Sequence, residues 1–411
     1  MKYGLIGEKL GHSFSREIHE KLGRYGYELR EIEKGDVGAF MTARDFAGIN
    51  VTIPYKTDVI PYLDEISDLA REIGAVNTVV NRGGKLFGDN TDVWGLTSLI
   101  RRMRPDLAGL TVLILGTGGT SRAAVAAAKI LGAKEIVRVS RTGRDGAVTY
   151  DAAYRDYTDA GFLINTTPVG MFPNAGKSPV DLSRFPRLAG VVDAIYNPLQ
   201  TRLLLDAGAL GIPAANGLYM LVTQAMRSAE RFTDEPVGED VTERIWRELQ
   251  FEKQNLVLIG MPGSGKSTVG RLLADKLGRP LVDTDDLIVR RAGVPITEIF
   301  AKQGEPAFRD LESEVVSGVS QTGGAVISTG GGAILRRENV DALRANGVLV
   351  YLDRPVEDLL PTPDRPLADQ AEKIRALFAV RAPLYRAAAD LTVWVAETPE
   401  QTANEIMEKV Q

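Results

Sequence analysis

The stretch "NLVLIGMPGSGKSTVGRLLADKLG", residues 255 to 278, reads as a strand, a glycine loop and a helix. Gly260, Gly263, Gly265, Lys266 and Ser267 fit the phosphate-loop pattern. Its backbone N–H groups cradle phosphates, its lysine reaches the terminal ones and its hydroxyl ligates Mg²⁺. Such a loop belongs on the first strand and helix of its own domain, yet here more than half the chain precedes it. A comparable unit lies in that earlier half. "GLTVLILGTGGTSRAAVAAAKILGAKEIVRVSRT", residues 109 to 142, reads strand, glycine turn, alanine-rich helix, strand. Both units point a helix N-terminus at something anionic. Around them, short β-branched runs alternate with alanine- and leucine-rich helical segments, which predicts α/β units with parallel sheets.

At 411 residues with 44% apolar content, the chain has room for two or three domains. No cysteine is present, which removes disulfides, thiolate nucleophiles and cysteine metal sites. His12 and His19 alone do not make a histidine-rich zinc site. The formal charge of -5, with charges interspersed, argues against a nucleic-acid footprint. No apolar run is long enough for a membrane span, and "MKYGLIGEKLGHS" lacks the order of a signal peptide, so a cytoplasmic enzyme is expected. "EDVTERIWRELQ" places Val241, Ile245, Trp246 and Leu249 on one face of a helix that closes the first half, and only "FEKQ" separates it from the next strand.

In the first half, Gly116, Gly118 and Gly119 suit a dinucleotide turn, with Ser121 in place of the usual third glycine. The next strand ends in Ser140, Arg141, Thr142 and Arg144, where an NAD site carries Asp or Glu. Cations and hydroxyls suit a 2′-phosphate, so NADP is preferred. Polar residues at strand ends, Ser13, Ser15, Asn50, Thr52, Asn77, Asn90 and Thr91, suit a polyhydroxylated ligand. Lys56 and Asp92 make a plausible proton-transfer pair. Read singly, they are a surface lysine and a helix cap.

In the second half, "LVDTDDLI" ends a strand with Asp283 and Asp285 on one face. One can hold a metal-bound water and the other a substrate hydroxyl, or together they can cap a helix. Arg309 and Glu312 stand three apart on a helix, Gly330, Gly331 and Gly332 follow a strand, and Arg381 lies downstream. Two arginines can clamp a carboxylate.

Residues 254 to 411 resemble shikimate kinase, which phosphorylates the 3-hydroxyl of shikimate with MgATP. The resemblance implies ATP at Gly263, Ser264, Gly265, Lys266, Ser267, Thr268 and the lid residue Arg365, with Mg²⁺ at Ser267 and Asp283. Shikimate falls to Asp285, Arg309, Gly331, Gly332 and Arg381, and Lys266, Asp285 and Arg365 are the expected catalytic groups. The lid "EDLLPTPDRPL" is shorter than the family leads one to expect.

Residues 1 to about 250 resemble shikimate dehydrogenase, which reduces 3-dehydroshikimate to shikimate with NADPH, and further matches are "INTTPVGM", "DAIYNPLQTRLL" and "NGLYMLVTQA". Here the resemblance assigns Lys56 and Asp92 to proton handling, and Ser13, Ser15, Thr52, Asn77, Tyr196 and Gln224 to the substrate. Asn165, Thr166 and Met171 would lie along the NADP(H). It implies a substrate domain of residues 1–100 plus 217–252, a Rossmann-type NADP domain of 101–216, and a phosphate-loop kinase domain of 253–411 with a parallel sheet. Arg16, Glu20 and Tyr219 depart from the pattern, and Tyr219 replaces a glycine near the expected nicotinamide or substrate. The chain thus reads as a bifunctional enzyme for successive steps. The alternatives are a first half that oxidises quinate or uses NAD, or one half that only binds ligand.

Overall fold

The computed structural model describes residues 1–11, 13–104, 106–359 and 370–410, so His12 and Arg365 lie outside the described residues. The chain divides into two compact units: Met1–Tyr196 with Leu203–Leu249, and Asn197–Arg202 with Gln250–Gln411.

The first unit opens with β1 (Tyr3–Gly7), α1 (Ser15–Leu22), β2 (Glu28–Glu31), α2 (Val37–Ala43), β3 (Gly48–Val51), β4 (Glu65–Ile66), α3 (Asp68–Ile73), β5 (Thr78–Arg82), β6 (Lys85–Asp89) and α4 (Asp92–Met103). Its sheet runs β2-β1-β3-β5-β6-β4. It is mixed, not parallel: β5 runs antiparallel to both β3 and β6. The cause is local. Gly83 and Gly84 join β5 to β6 with φ of 61° and 88°, and a two-residue turn with positive φ at both positions can only return the chain antiparallel.

Next come β7 (Thr111–Leu115), α5 (Gly119–Ile130), β8 (Glu135–Val139), α6 (Tyr150–Asp156), β9 (Phe162–Asn165), β10 (Val191–Asp193), α7 (Arg202–Ala209) and β11 (Ala214–Ala215). Their sheet, β11-β10-β9-β7-β8, is parallel throughout. β7 is buried along its whole length, as a strand covered by helices on both faces must be. The alanine face of α5 (Ala123, Ala124, Ala127, Ala128) packs with Val112 and Ile114 of β7 in one core. The chain then returns through α8 (Leu218–Thr233) and α9 (Glu239–Lys253). α8 lies close against α4, since a Cβ on Gly95 would stand 2.7 Å from the Met220 carbonyl oxygen. α9 buries Thr242, Ile245 and Leu249 and continues through Phe251–Lys253, so the expected four-residue join is helical except for Gln254.

The second unit contains β12 (Asn255–Ile259), α10 (Lys266–Leu277), β13 (Leu281–Asp283), α11 (Thr284–Ala292), α12 (Ile296–Val319), β14 (Val326–Ser328), α13 (Arg337–Asn346), β15 (Gly347–Asp353), α14 (Ala371–Ala388), β16 (Leu391–Trp394) and α15 (Pro399–Val410). The parallel sheet runs β13-β14-β12-β15-β16. β12 is central, so the loop leaving it sits mid-sheet, at the carboxyl ends of the strands where α/β folds bind ligands. α12 is broken at Gly304, whose φ of 80° and ψ of 172° are not helical.

His19, on α1, is 1% exposed, stacked on Tyr27 with centroids 3.9 Å apart, and its Nδ1 meets the Tyr25 hydroxyl at 2.8 Å. Burial holds its imidazole down at about 3, with Asn50 pulling weakly the other way. The unfolded imidazole titrates near 6.5, so below that pH the unfolded state binds the extra proton and the fold loses stability until pH nears 3. This one group is expected to remove about 2 kcal/mol between pH 7 and pH 5. Urea unfolding of wild type and His19→Phe at both pH values checks it: the variant's loss on acidification should be smaller by that amount.

Candidate active sites

In the first unit the polar residues gather where β1, β3 and β6 end and where β5 and α4 begin. Lys56 follows β3 by way of the Ile53–Pro54 cis peptide, and its carbonyl oxygen accepts from the Val76 N–H at 2.8 Å. Its Nζ donates to Asp92 Oδ2 at 2.5 Å, with the two side chains 15% and 3% exposed. Asp92 opens α4, where the helix dipole favours a carboxylate. Asn77 donates to the other oxygen, Oδ1, at 2.9 Å, and its own carbonyl accepts from the Thr91 N–H at 2.8 Å. Both ends of the Asn77 amide are therefore assigned. Behind it, Asn50, Thr78, Thr91 and Ser228 form a buried hydrogen-bonded group that no spacing along the chain reveals.

Of the expected ligand-holding groups, Asn77 contacts Asp92 directly and Gln224 reaches the pair through Asn77. Gln224 on α8 reaches within 3.5 Å of Asn77, and Ser13 donates to Ser15 at 3.1 Å. Between those serines, the Phe14 ring lies 5.2 Å from that of Tyr196, whose hydroxyl is pushed up to about 12 by burial. Thr52 packs against Gly7, where an added Cβ would stand 2.7 Å from its methyl.

The dinucleotide turn lies beside the pair. Gly116 has φ of 108° and a Cβ there would strike Thr166 Oγ1 at 2.8 Å, so glycine is required. α5 begins with no side-chain cap, leaving the N–H groups of its first turn for an anion. A Cβ on Gly119 would stand 3.8 Å from Lys56 Cδ, which brings the turn next to the lysine. Ser121 donates back to the Gly116 carbonyl at 2.7 Å, which explains how serine serves in the third glycine's place. Arg141, Thr142 and Arg144 follow β8 at the surface, and the Ser140 hydroxyl accepts from the Gly143 N–H at 3.0 Å. These residues fit a phosphorylated dinucleotide. Met171 is 46% exposed, and Thr166 donates to the Leu115 carbonyl at 2.6 Å. Asn165 departs from the expected cofactor contact: fully buried, it donates to Asp193 and accepts from Thr167, so its amide ties β9 to β10.

The departures have local explanations. Arg16 and Glu20 pair with each other at 2.7 Å across one exposed turn of α1. The Tyr219 ring meets that of Trp246 edge-on at 5.7 Å, with Arg102 over both rings and paired to Glu243. The phenol thus fastens α8 to α9 and α4.

In the second unit, Gly260, Gly263 and Gly265 hold φ of 150°, 80° and 93° around the loop after β12, and α10 starts without a side-chain cap. Lys266 is 6% exposed and donates to the Gly260 and Met261 carbonyls, each at 2.9 Å. The Ser264 hydroxyl is buried without a hydrogen-bond partner. A buried orphan hydroxyl, uncapped amides and a lysine are what a polyphosphate satisfies. Ser267 and Thr268 stand at the mouth of the loop, on the first turn of α10. Ser267 donates to Asp283 Oδ2 at 2.9 Å, while Asp283 Oδ1 accepts from the Asp285 N–H at 3.0 Å. Asp283 is thus both helix cap and partner of the expected magnesium hydroxyl, and the two donors fit a hard cation that takes its other oxygens from phosphates.

Beside this loop, Asp285, Arg309, Glu312, Arg381 and the run Gly330–Gly332 converge. A Cβ on Gly330 would lie 2.6 Å from Asp285 Oδ1 and 2.9 Å from Glu312 Oε1. On Gly332 it would lie 2.0 Å from Arg309 Nη1. Arg381 donates to the Gly331 carbonyl at 3.2 Å, and Tyr385 donates to the same oxygen. Arg309 and Glu312 pair at 2.7 Å. Burial pushes the Glu312 carboxyl up; Arg309 opposes the shift and Asp285 adds to it. Burial lowers Arg381, with Arg309 contributing. Glu312 Oε1 has no hydrogen-bond partner, and it is the site residue to which the motifs alone assign no role.

A model of the shikimate dehydrogenase substrate binding domain matches residues 5–79. An NADP(+) shikimate dehydrogenase of Clostridium beijerinckii is 35% identical over 267 residues, 61% of this chain and 94% of the relative. The chain belongs to the shikimate dehydrogenase family. A shikimate kinase model matches residues 262–411, so the dehydrogenase is joined to a shikimate kinase domain. Among solved structures, the shikimate 5-dehydrogenase of Thermus thermophilus in complex with NADP(H) and shikimate is 30% identical, with a TM-score of 0.54, and the match covers 60% of this chain and 99% of that one. A chorismate mutase/shikimate 5-dehydrogenase fusion from Clostridium acetobutylicum is 38% identical, with a TM-score of 0.57, covering 60% and 96%.

Two substitutions test the placements. Gly332→Ala drives a methyl into Arg309 and is expected to raise KM for shikimate in the kinase assay at least about tenfold. Tyr219→Gly is expected to lower stability by roughly 1–2 kcal/mol, through helix propensity and lost ring contacts, while shifting the dehydrogenase KM for shikimate less than about twofold. Urea unfolding and steady-state kinetics on the same preparation read both.

Proposed function

We propose that the chain reduces 3-dehydroshikimate to shikimate with NADPH in its first unit and phosphorylates the shikimate 3-hydroxyl with MgATP in its second. The observation that carries the first half is the Lys56–Asp92 contact of 2.5 Å beside the turn at Gly119. Reducing a ketone needs a proton at the carbonyl oxygen. Asp92 already accepts a hydrogen bond on each oxygen, from Lys56 and Asn77, so Lys56 is the donor of the pair. Ser13, Ser15, Thr52, Asn77, Tyr196 and Gln224 orient carboxylate and hydroxyls. Gly116, Gly118 and Gly119 would hold the pyrophosphate of NADPH and Arg141 and Arg144 its 2′-phosphate, and the cofactor when bound would supply the hydride.

In the second unit, Lys266 and the first turn of α10 would hold the triphosphate and Ser267 with Asp283 would hold Mg²⁺, which when bound would offset phosphate charge. Asp285 positions the attacking hydroxyl and takes its proton. Arg309 and Arg381 clamp the carboxylate, with the Gly331–Gly332 backbone beside the ring. The lid role of Arg365 belongs to this reading by resemblance alone.

The two reactions use separate residues, so they should be separable. Lys56→Ala is expected to cut shikimate-dependent NADP⁺ reduction about a hundredfold or more while phosphorylation persists, and Lys266→Ala to do the reverse. Loss of both activities from either change in a folded protein overturns the assignment.

A further inference from the structure

Arg309 is held by two carboxylates of different kinds. Glu312 Oε2 accepts from Nη1 at 2.7 Å with its side chain 1% exposed, whereas Glu305 Oε1 accepts from both Nε at 3.1 Å and Nη2 at 2.9 Å with its side chain 44% exposed. A guanidinium offers two edges that match a carboxylate in bidentate fashion, Nε/Nη2 and Nη1/Nη2. Glu312 already draws on Nη1, so Nε/Nη2 is the edge where a bidentate clamp can form, and Glu305 holds it.

We propose that Glu305 competes with the substrate carboxylate for the Nε/Nη2 edge of Arg309, and that its displacement sets the kinase unit's affinity for shikimate. The inference rests on the reading that Arg309 clamps that carboxylate. Three features place Glu305, not Glu312, as the group that yields. Its exposure lets the released carboxylate enter water, whereas Glu312 would have to do so from a buried position. It follows the non-helical Gly304 and precedes Pro306, at the start of the post-break segment of α12. It also balances charge: Arg309 and Arg381 are 8% and 5% exposed, lie along Gly331 and Gly332, and disfavour each other's charge, which Glu305 offsets. A substrate carboxylate takes over that balancing role as it binds.

Part-exposed ion pairs are weak, so the competition is modest in size. In the full-length chain, Glu305→Gln is expected to lower KM for shikimate about two- to fivefold at saturating MgATP, with KM for MgATP unmoved. Glu305→Ala should shift KM the same way. An unchanged KM for shikimate overturns the competition, and a raised one shows that Glu305 positions Arg309 instead. Arg309→Lys separates the two levels: keeping the charge but losing the fork, it should raise KM for shikimate at least about tenfold. If it does not, the carboxylate is not clamped at Arg309 and the competition falls with that reading. If it does while Glu305→Gln fails to lower KM, only the competition falls.

Discussion

Two helices that begin without a side-chain cap, α5 and α10, set the terms for everything around them. Each follows the first strand of a parallel sheet through a glycine loop, so its first amides point away from the protein and need an anion or water. Each loop requires glycine: Thr166 leaves no room for a Cβ at Gly116, and φ is positive at Gly260, Gly263 and Gly265. Once an anion is held there, the reacting groups have little freedom. Lys56 approaches the first turn of α5, and Ser267 lies in the first turn of α10 against Asp283.

The two sites answer burial differently. Around Asp92 a single ion pair is embedded in amides and hydroxyls, so few charges are desolvated and each carboxylate oxygen is matched. The kinase site instead gathers Arg309, Arg381, Glu312 and Asp285 around three glycines. Removing one member of such a group leaves an uncompensated charge, and the raised Glu312 carboxyl records that balance.

What is legible in the sequence is whatever depends on near neighbours along the chain. The glycine loops, the strands before them and the alanine face of α5 follow from period and spacing. The direction of β5 does not follow from strand pattern alone, although the "RGGK" turn at Arg82–Lys85 carries the signal. The resemblance assigns Asn165 to the cofactor, and nothing nearby in the sequence shows its partner Asp193, twenty-eight residues away. Tyr219 looks like an intruder for the same reason: Arg102 and Trp246, which receive it, are remote in sequence. A motif fixes a residue's place along the chain, and long-range contacts decide which way its side chain turns.

Asp283 spans both categories, with one oxygen on the Asp285 N–H and the other on Ser267. Folding and chemistry therefore constrain a single carboxylate at once. A chain drifting through neutral changes meets a double filter there: a replacement must keep a short acceptor for the helix end and a negative charge for the hydroxyl. Glutamate keeps the charge at a different reach, and asparagine keeps the reach without the charge. Neither replacement meets both demands that the geometry around Asp283 sets, so one short carboxylate couples the start of α11 to the first turn of α10.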